Sequence, residues 1–347
     1  MSDSVKHRNN LNLIRLFAAA QVMLVHGLNH LEFEGPLVMA LKLIPGVPTF
    51  FFLSGLLIYG SYDRTRVDGI QAFFRNRALR IFPGLWACVA LATICVTASG
   101  YLVSAARATA WTDVALWVAG QASFVQFYNP DFMRGFGLGV INGALWTVAV
   151  ELQFYVLTPI LFTVLHRKKY FYVIIIILSI ILNLYFRYSI NTDNMAMKLI
   201  YVSFLPWIYM YMAGFWLASN KHILLKLRET RIIRWAFPAY IITMLLVDSY
   251  IINASNAINP LSFSLLALCL VRASTMTLYL PSTVLNFVAR EDFSYGLYLY
   301  HMPLLNFLIH YRWLTPELSL AALAGGSFLL AAMSWYLVER TSLRYKR

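Results

Sequence analysis

This chain is short of charge, and above all of negative charge. Asp and Glu number 15 against 28 Lys and Arg in 347 residues, and charged residues of all kinds make up 12%. A soluble globular surface draws on roughly a quarter charged residues, so this supply excludes an ordinary water-soluble fold. Cysteine is scarce as well. Cys88, Cys95 and Cys269 all fall inside apolar runs, which argues against a disulfide framework and against a thiolate metal site; no metal is expected. Internal repeats, low-complexity tracts and stretches long enough for an appended soluble domain are missing, so residues 1–347 read as one membrane-embedded domain. The first apolar run has no small-residue cleavage site and contains Arg15, so it is expected to stay as an anchor.

What the chain does have is apolar length. It is 60% hydrophobic with a mean hydropathy of +0.65. Runs near 20 residues, the length that crosses a bilayer as a helix, lie at 12–31, 43–60, 81–100, 144–165, 170–190, 199–218, 232–251, 261–280, 294–312 and 318–338. The expected fold is therefore all-α and polytopic, with about ten transmembrane helices. Arg272 makes 261–280 the weakest span, and the shorter apolar stretch from Trp111 to Tyr128 reads as an interfacial or re-entrant helix. With both termini cytoplasmic, 22 of the 28 Lys and Arg fall on the inner side, as the positive-inside rule requires. The same bias accounts for the net charge of +13 without nucleic acid as a partner.

Against this background a few ionisable residues stand out. Arg15 and His26 lie in the first span, 11 residues apart, which is about three turns and roughly 16 Å along one helix face. Each costs on the order of 2.5–3.5 kcal/mol at membrane depth, so a functional reading is the default. His30, one turn further, falls at the outer interface. On the inner loop, Arg77 and Arg80 are neighbours on one helical face; their guanidinium forks suit a polyphosphate or, alternatively, lipid headgroups. Pro83 beyond them suits the first turn of the next span. Glu151, about a third of the way into the fourth span, is a partner for a buried cation, a proton carrier or a helix-to-helix link. Trp146 and Tyr155 fit belt or packing roles, since Trp, Tyr and Phe number 9, 21 and 24. Ser54 and Gly55 follow a Phe run and could form a small-residue packing notch. His301 lies mid-span, just before Pro303.

Taken in order, Arg15 and His26, Phe51-Phe-Leu-Ser54-Gly55, Arg77-Ala-Leu-Arg80-Ile-Phe-Pro83, Leu145-Trp146-Thr-Val-Ala-Val-Glu151-Leu-Gln-Phe-Tyr155 and Ser294-Tyr-Gly-Leu-Tyr298-Leu-Tyr-His301 resemble the ordered motifs of acyltransferase family 3. The resemblance runs from about residue 9 to residue 338. It implies a multi-pass enzyme of the bacterial inner membrane. Such an enzyme moves an acetyl or other short acyl group from cytoplasmic acyl-CoA to a hydroxyl of a lipid-linked or growing glycan, such as the O-antigen of lipopolysaccharide. It implies acetyl-CoA as donor substrate, with no tightly bound cofactor. His26 falls at the chemistry and Arg77 and Arg80 at the donor. The residue reading adds Glu151 as orienter of His26 and Arg15 as a further donor contact. Ser54, Gly55, Trp146, Tyr155, Tyr298 and His301 are candidate pocket residues. The chain resembles the shorter members, without an esterase-like C-terminal domain. A glycan polymerase or ligase, or a transporter of lipid-linked glycans, is the alternative; crowding of arginines on the inner side favours an anionic cytosolic donor over the first, and the sequence shows neither paired repeats nor corresponding broken helices for the second.

Overall fold

A computed structural model describes residues 10–346 apart from 109, 168, 189–193, 248–255, 277–280, 282, 284, 285, 288 and 289. The described residues form helices and turns without a strand. In chain order the helices are α1 (Leu11–His30), α2 (Pro36–Lys42), α3 (Gly46–Thr65), α4 (Ile70–Ala98), α5 (Tyr101–Ala108), α6 (Trp111–Gln121), α7 (Trp146–Arg167) and α8 (Lys169–Tyr188). Then come α9 (Met195–Tyr201), α10 (Ile208–Ser219), α11 (Lys221–Glu229), α12 (Ala236–Val247), α13 (Pro260–Ala273), α14 (Ser294–Tyr311) and α15 (Pro316–Ser334). The last runs through a π-turn at Trp335–Glu339 into the short α16 (Arg340–Leu343).

The fold is all-α and polytopic. Among the described residues six segments are long and apolar enough to cross a membrane, or up to 7 if the bent pair Lys221–Glu229 and Ile233–Val247 is one span. A helix sits within each of the ten expected runs, yet α10 has 12 residues and α13 has 14. In α10, Met210, Tyr211 and Met212 are fully enclosed by protein, and a helix turn that meets no lipid need not match the bilayer thickness. The end of the 261–280 run and the end of the 232–251 run lie outside the described residues. The Trp111 stretch forms the 11-residue α6, too short to span.

Helix α3 crosses α10 backbone to backbone. A Cβ on Gly55 would lie 2.0 Å from the Tyr211 carbonyl oxygen, and one on Gly214 would lie 2.1 Å from that of Phe52. Gly55 therefore belongs to the packing notch, while its neighbour Ser54 faces a cavity described below. Gly55→Ala is expected to destabilise the protein by about 1–3 kcal/mol, because two main chains rather than a flexible side chain must move. Thermal unfolding in detergent, with Ser54→Ala as the unaffected comparison, measures this.

Two prolines sit inside helices. Pro83 lies within the continuous α4, not at its start, and the helix extends Arg75, Arg77 and Arg80 beyond the apolar layer: its 29 residues measure about 44 Å. Pro303 in α14 withholds a donor from the Leu299 carbonyl, and the Asn142 amide replaces it at 2.8 Å. Helix α8 shows how the lipid boundary is drawn. Val173, Ile174, Ile177, Leu178 and Ile181 are exposed, whereas Ser179 and Asn183 turn inward to Tyr209 N (3.1 Å) and Pro206 O (3.1 Å).

The segment between α4 and α7 packs a second apolar cluster over one end of the bundle, with Trp117, Met133 and Phe136 at its centre. Asn306 of α14 pins it by donating to Val140 O and Ile141 O and accepting from Leu138 N. Arg77, Arg80 and the start of α14 lie at the opposite, basic end.

Candidate active site

At the basic end the chain brings four cations together from three elements. Arg15 from α1 and Arg80 from α4 both donate to Asp292 Oδ2, each at 2.6 Å. The other oxygen of Asp292 accepts from Ser294 at the start of α14. Glu339 lies 3.8 Å from Arg80 and accepts from Ser334 Oγ, leaving Oε2 without a hydrogen bond. Arg77 donates to Ser61 Oγ at 3.0 Å and stacks 5.7 Å above the Tyr155 ring, with a buried Nε that finds no acceptor. Lys346 completes the group beyond the last helix: burial, then the facing charges of Arg77, Arg80 and Arg15, push its ammonium down to about 8. Four cations against two carboxylates, with an unused buried N–H, form a site with spare capacity for a polyanion.

Above the cations lies a slot of about 40 Å³, lined by Arg15, Phe50, Ser54, Glu151, Tyr295 and Tyr298 among others. That volume holds one or two waters, not an extended chain. Glu151 is reached by the Tyr155 hydroxyl, one turn along α7, at 2.6 Å. Its expected partner was His26, and this is corrected: Nδ1 of His26 lies 2.9 Å from Nε2 of His301, and no hydrogen bond joins either ring to Glu151. Glu151 and Tyr298 both line the slot, whereas His26 and His301 do not, and the Tyr298 hydroxyl is held by Thr147 Oγ1 (2.5 Å) and Ala144 O (3.2 Å). Tyr298 meets the His301 ring edge-on, centroids 5.8 Å apart.

Arg15 and His26 do share a face. Both turn toward α14, one to Asp292 at its N-terminal end and the other to His301 two turns in. His26 is half-buried and His301 fully buried, with His301 Nδ1 3.3 Å from Leu297 O. His30 is exposed and near His26, ring centroids 6.2 Å apart. Trp146 stands outside the slot, packed on Trp207 and Tyr201 at 5.2 and 5.1 Å. Of the candidate residues, then, Arg15, Ser54, Glu151 and Tyr298 share one cavity. Tyr155 joins through Glu151, Arg77 and Arg80 lie below, and Gly55 and Trp146 serve packing.

Asp292, Glu339, Ser61, Thr147 and Lys346 were not singled out in the sequence. An acid at the mouth of an apolar run was the available signal for Asp292 and Glu339, given 15 acids in all. Among the described residues no three His, Cys, Asp or Glu converge as a metal site.

These features define a membrane-embedded enzyme with a cationic mouth and a hydrogen-bonded imidazole pair. The model of the acyltransferase domain matches residues 8–339, and the chain belongs to that family of membrane acyltransferases. It is 30% identical to Nodulation protein 10 of Rhizobium leguminosarum bv. viciae, over 98% of this chain and 94% of that one. It is 25% identical to the O-acetyl transferase of Shigella phage Sf6, over 97% of each. The O-acetyltransferase OatA of Staphylococcus aureus is 25% identical over 89% of this chain, which spans 52% of OatA. No solved structure matches the chain.

Proposed function

We propose that this acyltransferase takes an acetyl or other short acyl group from acyl-CoA on the cytosolic side and delivers it to a glycan hydroxyl on the far side. An exported or surface glycan such as the O-antigen is the acceptor class that the family resemblance implies, and the relatives named O-acetyl transferase support acetyl transfer to a hydroxyl. Both termini are cytosolic, the bilayer is the bacterial inner membrane, and one membrane-embedded domain carries the reaction. The observation that carries this reading is the pairing of a four-cation mouth, to which Arg15 belongs, with the His26 imidazole about 16 Å up the helix from Arg15 and hydrogen-bonded to His301.

Arg77, Arg80 and Lys346 take the phosphates of the donor, and Arg15 guards the entrance to the slot. The pantetheine arm rises past Ser54 and Glu151, which requires the slot beside Tyr298 to widen. His26 accepts the proton of the acceptor hydroxyl as its oxygen attacks the thioester carbonyl; the C–S bond breaks and the thiolate leaves with that proton. Glu151, held by Tyr155 beside Arg77, orients the arm rather than the base.

Binding of CoA supplies the test, because a ligand that binds only the folded protein raises its melting temperature with concentration. Wild type is expected to be stabilised by CoA and acetyl-CoA, and Arg77→Ala to lose the response. Arg77 is the residue to change, since Arg80 also holds the fold. Absence of any response in wild type refutes the donor assignment. The free Lys346 ammonium is charged below pH 8 and neutral above it, whereas a bound phosphate keeps it charged. Affinity for CoA therefore falls as pH rises, about tenfold between pH 7 and 9. Lys346→Arg, which stays charged, is expected to flatten that profile in calorimetric titrations.

A further inference from the structure

The proposed function gives His26 the proton transfer. Resting on that reading, we infer that His301 dictates which nitrogen of His26 performs it, and so acts as its positioning residue. The argument starts at the main chain. A carbonyl can only accept, so the contact of His301 Nδ1 with Leu297 O requires the proton of neutral His301 to sit on Nδ1. His301 then has a lone pair on Nε2 and nothing to donate there. Across the 2.9 Å to His26, the hydrogen must come from His26 Nδ1. The lone pair of His26 is thereby fixed on Nε2, the nitrogen free to receive a proton.

Other ionisable groups do not disturb this order. His30 and Tyr298 are the titratable side chains beside the pair, and no carboxylate is hydrogen-bonded to either ring among the described residues. During transfer the balance is simple. The hydroxyl proton moves to His26 Nε2 as the O–C bond forms, and the positive charge spreads through the Nδ1–H···Nε2 hydrogen bond over both rings. The Nε2 proton then passes to the departing thiolate as the C–S bond breaks, and the pair returns to neutrality. In a serine hydrolase a carboxylate fills the orienting place; here a neutral imidazole, itself oriented by the helix backbone, fills it.

Three variants test this. His301→Leu keeps bulk and removes the acceptor, His301→Gln restores an acceptor oxygen, and His26→Ala tests the underlying reading. His301→Leu is expected to lower kcat at least a hundredfold with the KM for acyl-CoA and the CoA-dependent thermal shift unchanged. His301→Gln is expected to recover to within tenfold of wild type. In wild-type protein carrying ¹⁵N-histidine, NMR is expected to place the His26 proton on Nδ1 and the lone pair on Nε2, a readout that does not depend on any variant folding. Full activity in His301→Leu, equal loss in the Leu and Gln variants with CoA binding intact, or a lone pair on Nδ1 of His26 overturns the inference. Undiminished transfer by His26→Ala instead overturns the reading beneath it.

Discussion

His26→Ala is expected to reduce acyl transfer about a thousandfold while the protein still folds, inserts and responds to CoA. The size follows from the role: a positioned base contributes about 10²–10⁴-fold, and no second imidazole occupies the same place, because His301 is fully buried and already bonded on both nitrogens. The cost to the fold is small by comparison, one lost hydrogen bond to His301 worth about 1–3 kcal/mol. Mass spectrometry of the acceptor glycan, with and without the variant expressed, reads the result. A second experiment separates direct transfer from a covalent route: labelled acetyl-CoA without acceptor leaves the protein unlabelled in the first case and acylated in the second.

Arg80→Met is expected to fail differently, by unfolding. The Arg80 and Asp292 side chains are each 11% exposed, and Glu339 beside them is 2% exposed. Removing one guanidinium leaves Asp292 with Arg15 alone and Glu339 with no cation. Breaking a buried pair in this way costs about 3–5 kcal/mol. Melting in detergent is expected to drop by many degrees, and Arg80→Met combined with Glu339→Gln to regain part of the loss, since the stranded charge goes with it. A melting point equal to wild type in the single variant contradicts the ion-pair account. The comparison with Arg77 is the informative part: Arg77 has a hydroxyl and an aromatic ring for partners, so its loss is expected to weaken donor binding without collapsing the bundle.

The sequence made the helices legible wherever an apolar run met lipid, because length and hydropathy answer to the bilayer alone. It was less informative where helices met protein instead, as α10 does against α3, because there length no longer answers to the bilayer. The 11-residue spacing of Arg15 and His26 correctly put both on one stripe, since helix geometry is local. Their partners were out of reach: Asp292 and His301 lie more than 270 residues away, and pairing at that separation is set by how α1 packs on α14. Glu151 shows the same limit from the other side. Its membrane depth marked it as unusual, but its partner turned out to be Tyr155, four residues along its own helix.

Tyr298, held by Thr147 and the Ala144 carbonyl, lines the slot and also meets the His301 ring edge-on. A catalyst that joins reactants from the two faces of a bilayer, as proposed above, faces a hazard that soluble transferases do not: any continuous wet path is a leak for protons and ions. A slot with room for one or two waters keeps that hazard small in the resting protein. On the proposed function, the donor's own arm would fill the space as the slot widens.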